Sequence, residues 1–257
     1  MSKNKLEKFA ELDALSNTLQ YPYQALAKGK TFPHRGRWGE AVFGNNHPIV
    51  LELGCGKGEY TVALARRYPE MNFVGVDIKG SRIWTGATTA DREGLENVRF
   101  LRTQIELIGT FFDDGEVAEI WLTFPDPQMK KVRKRLTSLR FLQEYHRILT
   151  PDGLLHLKTD SGFLYRYTQE IARANSQEIL QDFSDIYASA EAPAVLREVQ
   201  TYYEQQWLSR GMTIKHLCIR TDDRILRGIE PDVEIEPDSY RSYGRSRRIQ
   251  QETTATK

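Results

Sequence analysis

The stretch IVLELGCGKGE, residues 49–59, joins a short apolar run to a loop in which every second residue is glycine. An apolar run of this length that ends in glycines is typical of a buried strand followed by a tight turn. Glycine lets the backbone turn sharply, and it lets a ligand approach the backbone closely. A helical pattern follows at 60–68. The stretch therefore predicts a strand–loop–helix unit, the building block of an alternating α/β fold.

The same alternation of strands and helices continues to about residue 160. Apolar runs predict four further strands, at 72–77, 98–101, 117–123 and 153–158, and helical patterns occur at 81–93 and 138–149. A possible strand at 178–183 and a last apolar segment at 214–219 bring the number to seven. We therefore predict a mostly parallel seven-stranded sheet with helices on both faces, a Rossmann-like arrangement. Ligands in such sheets bind beyond the carboxyl ends of the strands, here after Leu53, at Asp77 and after Thr123.

The bulk composition excludes several classes of protein. The chain has 257 residues, of which 40% are hydrophobic, and this is enough for a sizeable core. No run approaches the roughly 18 apolar residues of a membrane span, and the charged N-terminus has no secretory signal. Cys55 and Cys218 do not make a disulfide framework, and the five histidines show no metal-ligand spacing with them. We predict a cytoplasmic protein without a membrane segment or a metal site. The sequence leaves open whether it is a monomer or a homodimer.

The distribution of charge divides the chain into three parts. The net charge is only +1, so any argument for a nucleic-acid partner depends on where the cations lie. Residues 1–48 form an N-terminal extension with basic and aromatic residues, and residues 49–225 hold the α/β domain. In the tail, residues 226–257, an acidic stretch precedes four arginines, so we expect the tail to be extended or disordered.

The glycine loop and the end of the next strand indicate an adenosine-containing cofactor. That strand ends in Asp77, whose carboxylate can accept hydrogen bonds from both hydroxyls of a ribose. A dinucleotide fingerprint would need a small residue where Glu59 stands, and Glu52 adds a second negative charge near the loop. A cationic ligand suits these charges better than a pyrophosphate does. S-adenosylmethionine carries a sulfonium and an ammonium, and the pattern ELGCGKG resembles the first motif of class I methyltransferases. The alternative is a plain tight turn between strand and helix.

A second unusual stretch, FPDPQMKKVRKR at 124–135, follows the predicted strand at 117–123. The two prolines restrict the backbone and so aim the carboxylate of Asp126. Five cations then follow within six residues, at the edge where the cofactor is expected. A basic cluster beside a methyl donor indicates a polyanionic substrate, most simply nucleic acid. Considered alone, Asp126 could instead be a turn residue that caps a helix. Each lysine, considered alone, could be an ordinary solvated surface charge.

Several motifs together resemble the bacterial tRNA (guanine-N7)-methyltransferase family. The central motif of that family reads approximately F-x-D-P-W-P-K-K, and this chain has FPDPQMKK, with Gln128 and Met129 in place of tryptophan and proline. Four other landmarks match in order: the glycine loop ELGCGKG, the strand FVGVD, the strand end LKTD and the late motif TYYE. The resemblance covers about residues 30 to 221. It implies the Rossmann-like class I methyltransferase fold.

The resemblance also implies roles for individual residues. Binding of S-adenosylmethionine is implied for Glu52, Gly54, Gly56, Asp77, Gln104 and Asp126. Gln104 stands where the family has an adenine-binding aspartate, and its side-chain carbonyl can accept from the adenine amino group. Asp126 is the implied catalytic carboxylate. Substrate binding is implied for Lys130, Asp160, Thr201 and Glu204. The implied partner is tRNA, methylated at N7 of the variable-loop guanine, position 46, as a step of tRNA processing.

Three alternatives stay open on the sequence alone. A methyltransferase that acts on a protein or a small molecule would keep the glycine loop and Asp77 without requiring the basic loop, and one that acts on another RNA is a related alternative. A nonenzymatic RNA-binding module would bind RNA but transfer no methyl group. An NAD-dependent oxidoreductase is disfavoured, because Glu59 would face the pyrophosphate.

Overall fold

The computed structural model describes residues 5–29 and 31–239. In that part of the chain the helices are α1 Lys5–Ala14, α2 Tyr23–Ala27, α3 Glu59–Arg67, α4 Gly80–Arg92, α5 Leu139–Ile148, α6 Gly162–Ala174, α7 Ala194–Glu198 and α8 Tyr202–Leu208. The strands are β1 Thr18–Gln20, β2 Ile49–Leu53, β3 Asn72–Asp77, β4 Val98–Arg102, β5 Val117–Thr123, β6 Leu149–Thr159, β7 Glu178–Phe183 and β8 Lys215–Arg220. Among the helices just given, none is long and apolar enough to cross a membrane.

The strands form one sheet in the order β1-β4-β3-β2-β5-β6-β8-β7. β8 runs antiparallel to both of its neighbours, and the other pairs are parallel. The predicted Rossmann-like class I methyltransferase architecture is confirmed, including the late strand at 214–219. From β2 the chain adds β3 and then β4 on one side, and it then crosses over to add β5 and β6 on the other side of β2. The strand order therefore reverses between β2 and β5. The carboxyl ends of these two strands therefore open the crevice in which such sheets bind ligands.

The number of strands differs from the prediction, because the sheet has eight strands instead of seven. The additional strand is β1, which lies inside the predicted N-terminal extension and pairs with β4 from Thr18↔Phe100 to Gln20↔Arg102. Three residues are too few to show a strand's alternating pattern, so the sequence carried no signal for it. The extension thus adds an edge to the sheet instead of standing apart from it.

The core lies on both faces of the sheet, as expected where helices cover a parallel sheet on both sides. All five residues of β2 are buried. Successive side chains of a strand point to opposite faces, so Leu51 packs in one apolar cluster and Val50 in the other. Trp38 of the N-terminal segment is fully buried, stacks on Phe112 at 4.7 Å between ring centroids, and donates to the Phe111 carbonyl at 2.7 Å. This tryptophan belongs to the core and anchors the N-terminal segment.

The described part of the predicted tail, 226–239, is extended and tied to the domain. The Ile229 N–H donates to Asn175 Oδ1 at 2.7 Å, and Glu230 Oε1 accepts from the Leu139 N–H at 3.0 Å. Asp238 Oδ1 accepts from the Phe163 N–H at 3.0 Å, at the first turn of α6. Of the two states expected for the tail, extended or disordered, the described part takes the extended one, and hydrogen bonds to α5 and α6 hold it in place. The tail arginines, at 241 to 248, lie outside the described residues.

Candidate active site

A cavity of about 660 Å³ opens at the carboxyl ends of β2 and β5. Four segments line it: the glycine loop after β2, the start of α4, residues 123–126 after β5, and the start of α8. This is the crevice that the strand order predicts. Its size is in the range of roughly 300–1,000 Å³ that is usual for small-molecule sites.

The glycine loop is held in shape by Asp77. The Gly56 N–H donates to one oxygen of its carboxylate at 3.0 Å, and the Lys79 N–H donates to the other at 2.8 Å. Gly54 and Gly56 have φ of 83° and 56°, a conformation that L side chains rarely adopt. Each carboxylate oxygen retains a further lone pair for a ligand hydroxyl. The structure thus places the predicted ribose-binding residue beside the predicted loop.

Glu52 lies at the base of the cavity, 4% exposed. Its Oε2 accepts from the Thr61 backbone N–H at 2.9 Å and from the Thr61 hydroxyl, and its Oε1 accepts from the Thr123 hydroxyl. Burial is the largest influence on this carboxyl and raises its pKa to about 7, against the lowering effect of these hydrogen bonds. Glu52 therefore places a buried negative charge at the cavity only when it is ionised, above about pH 7 or with a cationic ligand beside it, and protein donors already occupy its oxygens.

The raised pKa of Glu52 predicts a pH-dependent stability. Between the ordinary pKa of 4.5 and about 7, the folded protein holds a proton that the unfolded chain has released. The free energy of unfolding therefore falls as pH rises through this window, by up to roughly 3 kcal/mol by pH 8. We expect Glu52→Gln, which mimics the protonated form, to remove this fall. Urea unfolding of both proteins at pH 5 and pH 8 measures it, and parallel pH profiles would contradict the prediction.

Gln104 is not brought into the cavity. Its side-chain carbonyl accepts from the Tyr23 N–H at 2.8 Å, and it does not lie among the cavity-lining residues. The N-terminal segment passes over the end of β4 at this point, and the hydrogen bond from Tyr23 directs the Gln104 carbonyl toward that segment. The neighbouring Ile105 lies closer to the loop, since a methyl on Gly54 would be 3.9 Å from its Cδ1.

Asp126 is exposed at the cavity, between the buried Pro125 and Pro127. Its Oδ1 accepts from the Gln128 N–H at 3.0 Å, which leaves the second oxygen for a ligand. Phe124 and Gln128 have φ of 50° and 47°, an uncommon conformation for residues other than glycine. The loop therefore makes a tight reversal that presents this carboxylate to the cavity.

One of the five cations of the basic loop points inward. Arg135 is 2% exposed, and its guanidinium lies 3.9 Å from the centroid of the Tyr167 ring. Its Nε donates to the Pro127 carbonyl at 3.0 Å, and its Nη2 donates to the carbonyls of 128 and 129 at 3.2 and 3.3 Å. The interpretation of Arg135 as a substrate-facing cation is wrong, because it braces the backbone that carries Asp126. Lys130, Lys131, Arg133 and Lys134 are exposed.

Glu204 is not available to a substrate, which corrects the role implied for it. Both Glu204 and Lys158 have fully buried side chains, and their charged atoms are 2.8 Å apart. Tyr187 donates to the other carboxylate oxygen at 2.9 Å. Burial raises the pKa of Glu204 and lowers that of Lys158, and the attraction within the pair opposes both shifts. Thr201 lines the cavity, and its hydroxyl accepts from the Glu204 N–H at 3.1 Å at the start of α8.

Asp160 lies at a different cavity from Asp126. It is 1% exposed at the end of β6 and lines a neighbouring cavity of about 480 Å³ between α6 and residues 234–239. Lys130 is exposed on the basic loop. The structure thus brings Glu52, Gly54, Gly56, Asp126 and Thr201 to one cavity and places Asp77 beside the glycine loop. Asp160 and Glu204 lie apart from it.

Two aromatic side chains of the stretch 201–204, for which the resemblance implied substrate binding, lie at the mouth of the cavity. Tyr202 and Tyr203 are 58% and 40% exposed, and the Tyr203 ring meets Phe124 edge-on at 5.7 Å. Exposed aromatic rings beside a ligand cavity offer a surface on which a nucleobase stacks. Two adjacent tyrosines within the TYYE motif were the available signal. Among residues 5–29 and 31–239, no cluster of side chains has the composition of a metal site.

Comparisons with known proteins agree with this geometry. Residues 46–217 match the family described as "Putative methyltransferase". A tRNA (guanine-N(7)-)-methyltransferase of Bacteroides thetaiotaomicron is 53% identical over 96% of this chain and 97% of its own length. The enzyme of that name from Porphyromonas gingivalis is also 53% identical, over 93% of this chain and 98% of its own. The solved structure of the 16S rRNA methyltransferase KamB superposes with a TM-score of 0.56 at 15% identity, over 75% of this chain and 96% of that one. This last likeness concerns the fold alone.

Proposed function

The chain belongs to the tRNA (guanine-N7)-methyltransferase family, and we propose that it transfers the methyl group of S-adenosylmethionine to N7 of the variable-loop guanine, position 46, of tRNA. The observation that carries the proposal is the position of Asp126. Its carboxylate lies in one cavity with the glycine loop, and exposed lysines follow it in the chain. A carboxylate directed at the cavity suits a nucleotide base that becomes positive during the reaction, and the cations around it suit the negative phosphates of the same RNA.

The residues of the cavity fit S-adenosylmethionine better than a dinucleotide. Glu52 and Asp77 supply negative charge at the glycine loop, where the cofactor carries its sulfonium and ammonium. A methyl group on Gly56 would meet no heavy atom within 4 Å, so the backbone here is open to a ligand. Glu59, at the loop end, disfavours a diphosphate. When bound, the cofactor supplies an electrophilic methyl group.

The protein's part in the reaction is positioning and electrostatic stabilisation. Guanine N7 has a lone pair and no proton, so no general base is required before attack. The chain must hold N7 in line with the methyl–sulfur bond. As the bond between N7 and the methyl carbon forms, the base gains positive charge, and the Asp126 carboxylate stabilises that charge. To reach the cavity the guanine has to leave its stack, and Tyr202 and Tyr203 offer rings that replace the lost stacking.

Transfer of labelled methyl groups to unmodified tRNA transcripts tests the proposal. We expect labelling of a transcript with guanine at position 46, and at least a hundredfold less when adenine replaces it, since the N7 of adenine lacks the neighbouring carbonyl acceptor of guanine. Mapping the label to N7 completes the assignment. Equal labelling of both transcripts would support methyltransferase activity on tRNA but would place the methylated nucleotide at a position other than 46. Binding of S-adenosylmethionine without labelling of any tRNA would favour a small-molecule substrate.

A further inference from the structure

Three exposed cations on the α3–α4 side of the cavity have no role in the reaction described so far. Lys57 belongs to the glycine loop, Lys79 precedes α4, and Arg82 lies in the first turn of that helix. All three line the cavity and are exposed. Within residues 5–29 and 31–239, none of them forms an ion pair. Unpaired cations grouped at one rim favour an anionic ligand.

The proposed cofactor does not account for three cations. S-adenosylmethionine has a single carboxylate, which one cation satisfies, and two cationic centres that further cations would repel. Nucleic acid, by contrast, brings one negative charge with each nucleotide. The three cations therefore match tRNA better than they match S-adenosylmethionine.

A groove leads away from the cavity on the same side. It has a volume of about 360 Å³ between α3 and α4, and it shares Lys57, Glu59 and Tyr202 with the cavity, so the two are adjacent. Polar side chains line much of it, including Thr85 and Gln205. Hydroxyls and amides both donate to phosphate oxygens and accept from ribose 2′-hydroxyls. A strand that enters the cavity at its target nucleotide thus finds RNA-compatible groups beyond it.

Two acidic side chains lie near this groove: Glu93 is paired with an arginine, whereas Glu59, which disfavours a diphosphate at the end of the glycine loop, keeps its charge, so we place the phosphates of a bound strand on the α4 side, away from it. The carboxylate of Glu59 accepts from the Tyr202 N–H at 3.0 Å, and Arg66, which lines the groove, pairs with Glu93 at 2.6 Å. The Tyr202 ring is exposed, with the Lys57 ammonium 5.4 Å from its centroid. An exposed ring next to a cation is a combination that binds single-stranded nucleic acid, by stacking and by charge.

We propose that the α3–α4 groove, which Lys57 lines, together with Lys79 and Arg82 on the adjoining rim of the cavity, binds the tRNA strand that flanks the methylated nucleotide. The inference rests on the proposed function and adds a second side to the substrate site. Lys130, Lys131, Arg133 and Lys134 hold phosphates on the Asp126 side, and the groove holds them on the glycine-loop side. Contacts on both sides keep the displaced nucleotide from returning to its stack, whose loss costs a few kcal/mol.

The test is the double variant Lys79→Glu/Arg82→Glu, which reverses two charges on the rim of the cavity next to the groove. We expect its dissociation constant for unmodified tRNA to rise by about tenfold or more, and the dependence of log K on log[salt] to become shallower by one to two. Titration calorimetry of the same variant with S-adenosylmethionine is the parallel measurement, and we expect a larger loss of affinity for tRNA than for the cofactor, because tRNA carries many more negative charges. A second variant, Thr85→Glu, puts a carboxylate into the groove away from the cavity, and should weaken tRNA binding in the same direction.

The matched control is Arg92→Glu, the same charge reversal at the other end of α4. It should bind tRNA within about twofold of wild type, since thirteen residues of helix place it roughly 15–20 Å away. Loss of cofactor affinity with unchanged tRNA affinity would assign the cations to the cofactor and overturn the proposal. So would wild-type tRNA binding by both groove variants while the wild-type enzyme methylates tRNA. Failure of the wild-type enzyme to methylate tRNA would instead overturn the proposed function.

Discussion

Asp126→Asn is expected to lower kcat for methyl transfer to tRNA by on the order of 10²–10³-fold. Asparagine keeps the carbonyl oxygen that accepts from the Gln128 N–H, so the turn between Pro125 and Pro127 keeps its shape. Only the negative charge is lost, and it is lost where the guanine becomes positive. Because that charge develops in the transition state, KM for tRNA and the affinity for S-adenosylmethionine should change little. Single-turnover rates with labelled cofactor measure the effect.

The comparison variant is Asp152→Asn, the same chemical change at an exposed carboxylate of β6. It should leave kcat, KM and the melting temperature at wild-type values. If Asp126→Asn instead raises KM and spares kcat, then the carboxylate binds the substrate equally in the ground state and in the transition state and does not act on the charge that develops during transfer. If kcat and KM are both unaltered, then Asp126 takes part neither in substrate binding nor in catalysis.

The parts of the fold that sequence reasoning predicted correctly depend on local patterns. The glycine loop was recognisable from the backbone freedom of its own residues, although Asp77 also holds it in shape, and the strand before it shows its burial in its own composition. The same holds for the Pro–Asp–Pro turn, whose prolines restrict their neighbours directly. The cavity follows from these elements, because strand order alone decides which strand ends face one another.

The parts that escaped prediction depend on contacts between distant residues. Arg135 is one of five cations in a row, and only its packing against Tyr167 distinguishes it from the exposed four. Gln104 has the right chemistry for adenine, but Tyr23, eighty-one residues earlier, takes its carbonyl. Lys79 and Arg82 carry ordinary charges for the start of an exposed helix. The inference that they bind a ligand depends on the cavity that they line, and no local sequence pattern reveals that position.

Glu204→Leu is expected to lower the free energy of unfolding by roughly 3–5 kcal/mol, because it leaves the Lys158 ammonium buried without its partner. The Val199 carbonyl, which accepts from that ammonium at 2.9 Å, does not replace the lost charge. Lys158→Met should cost a similar amount by stranding the carboxylate. The double variant Lys158→Met/Glu204→Leu should recover most of the loss, since two apolar side chains need no charged partner. Urea unfolding of the four proteins gives the coupling energy.

The same four proteins separate a structural role from the substrate-binding role that the TYYE motif implied. A carboxylate that bound tRNA would be missed equally in Glu204→Leu and in the double variant, and tRNA affinity would fall in both without recovery. A buried ion pair predicts that affinity, measured below the unfolding transition, follows stability and returns in the double variant. Thr201 and Tyr202 stand at the start of the helix that Glu204 anchors. Recovery of both stability and affinity would therefore mean that the pair acts on the substrate only by holding that helix against the cavity.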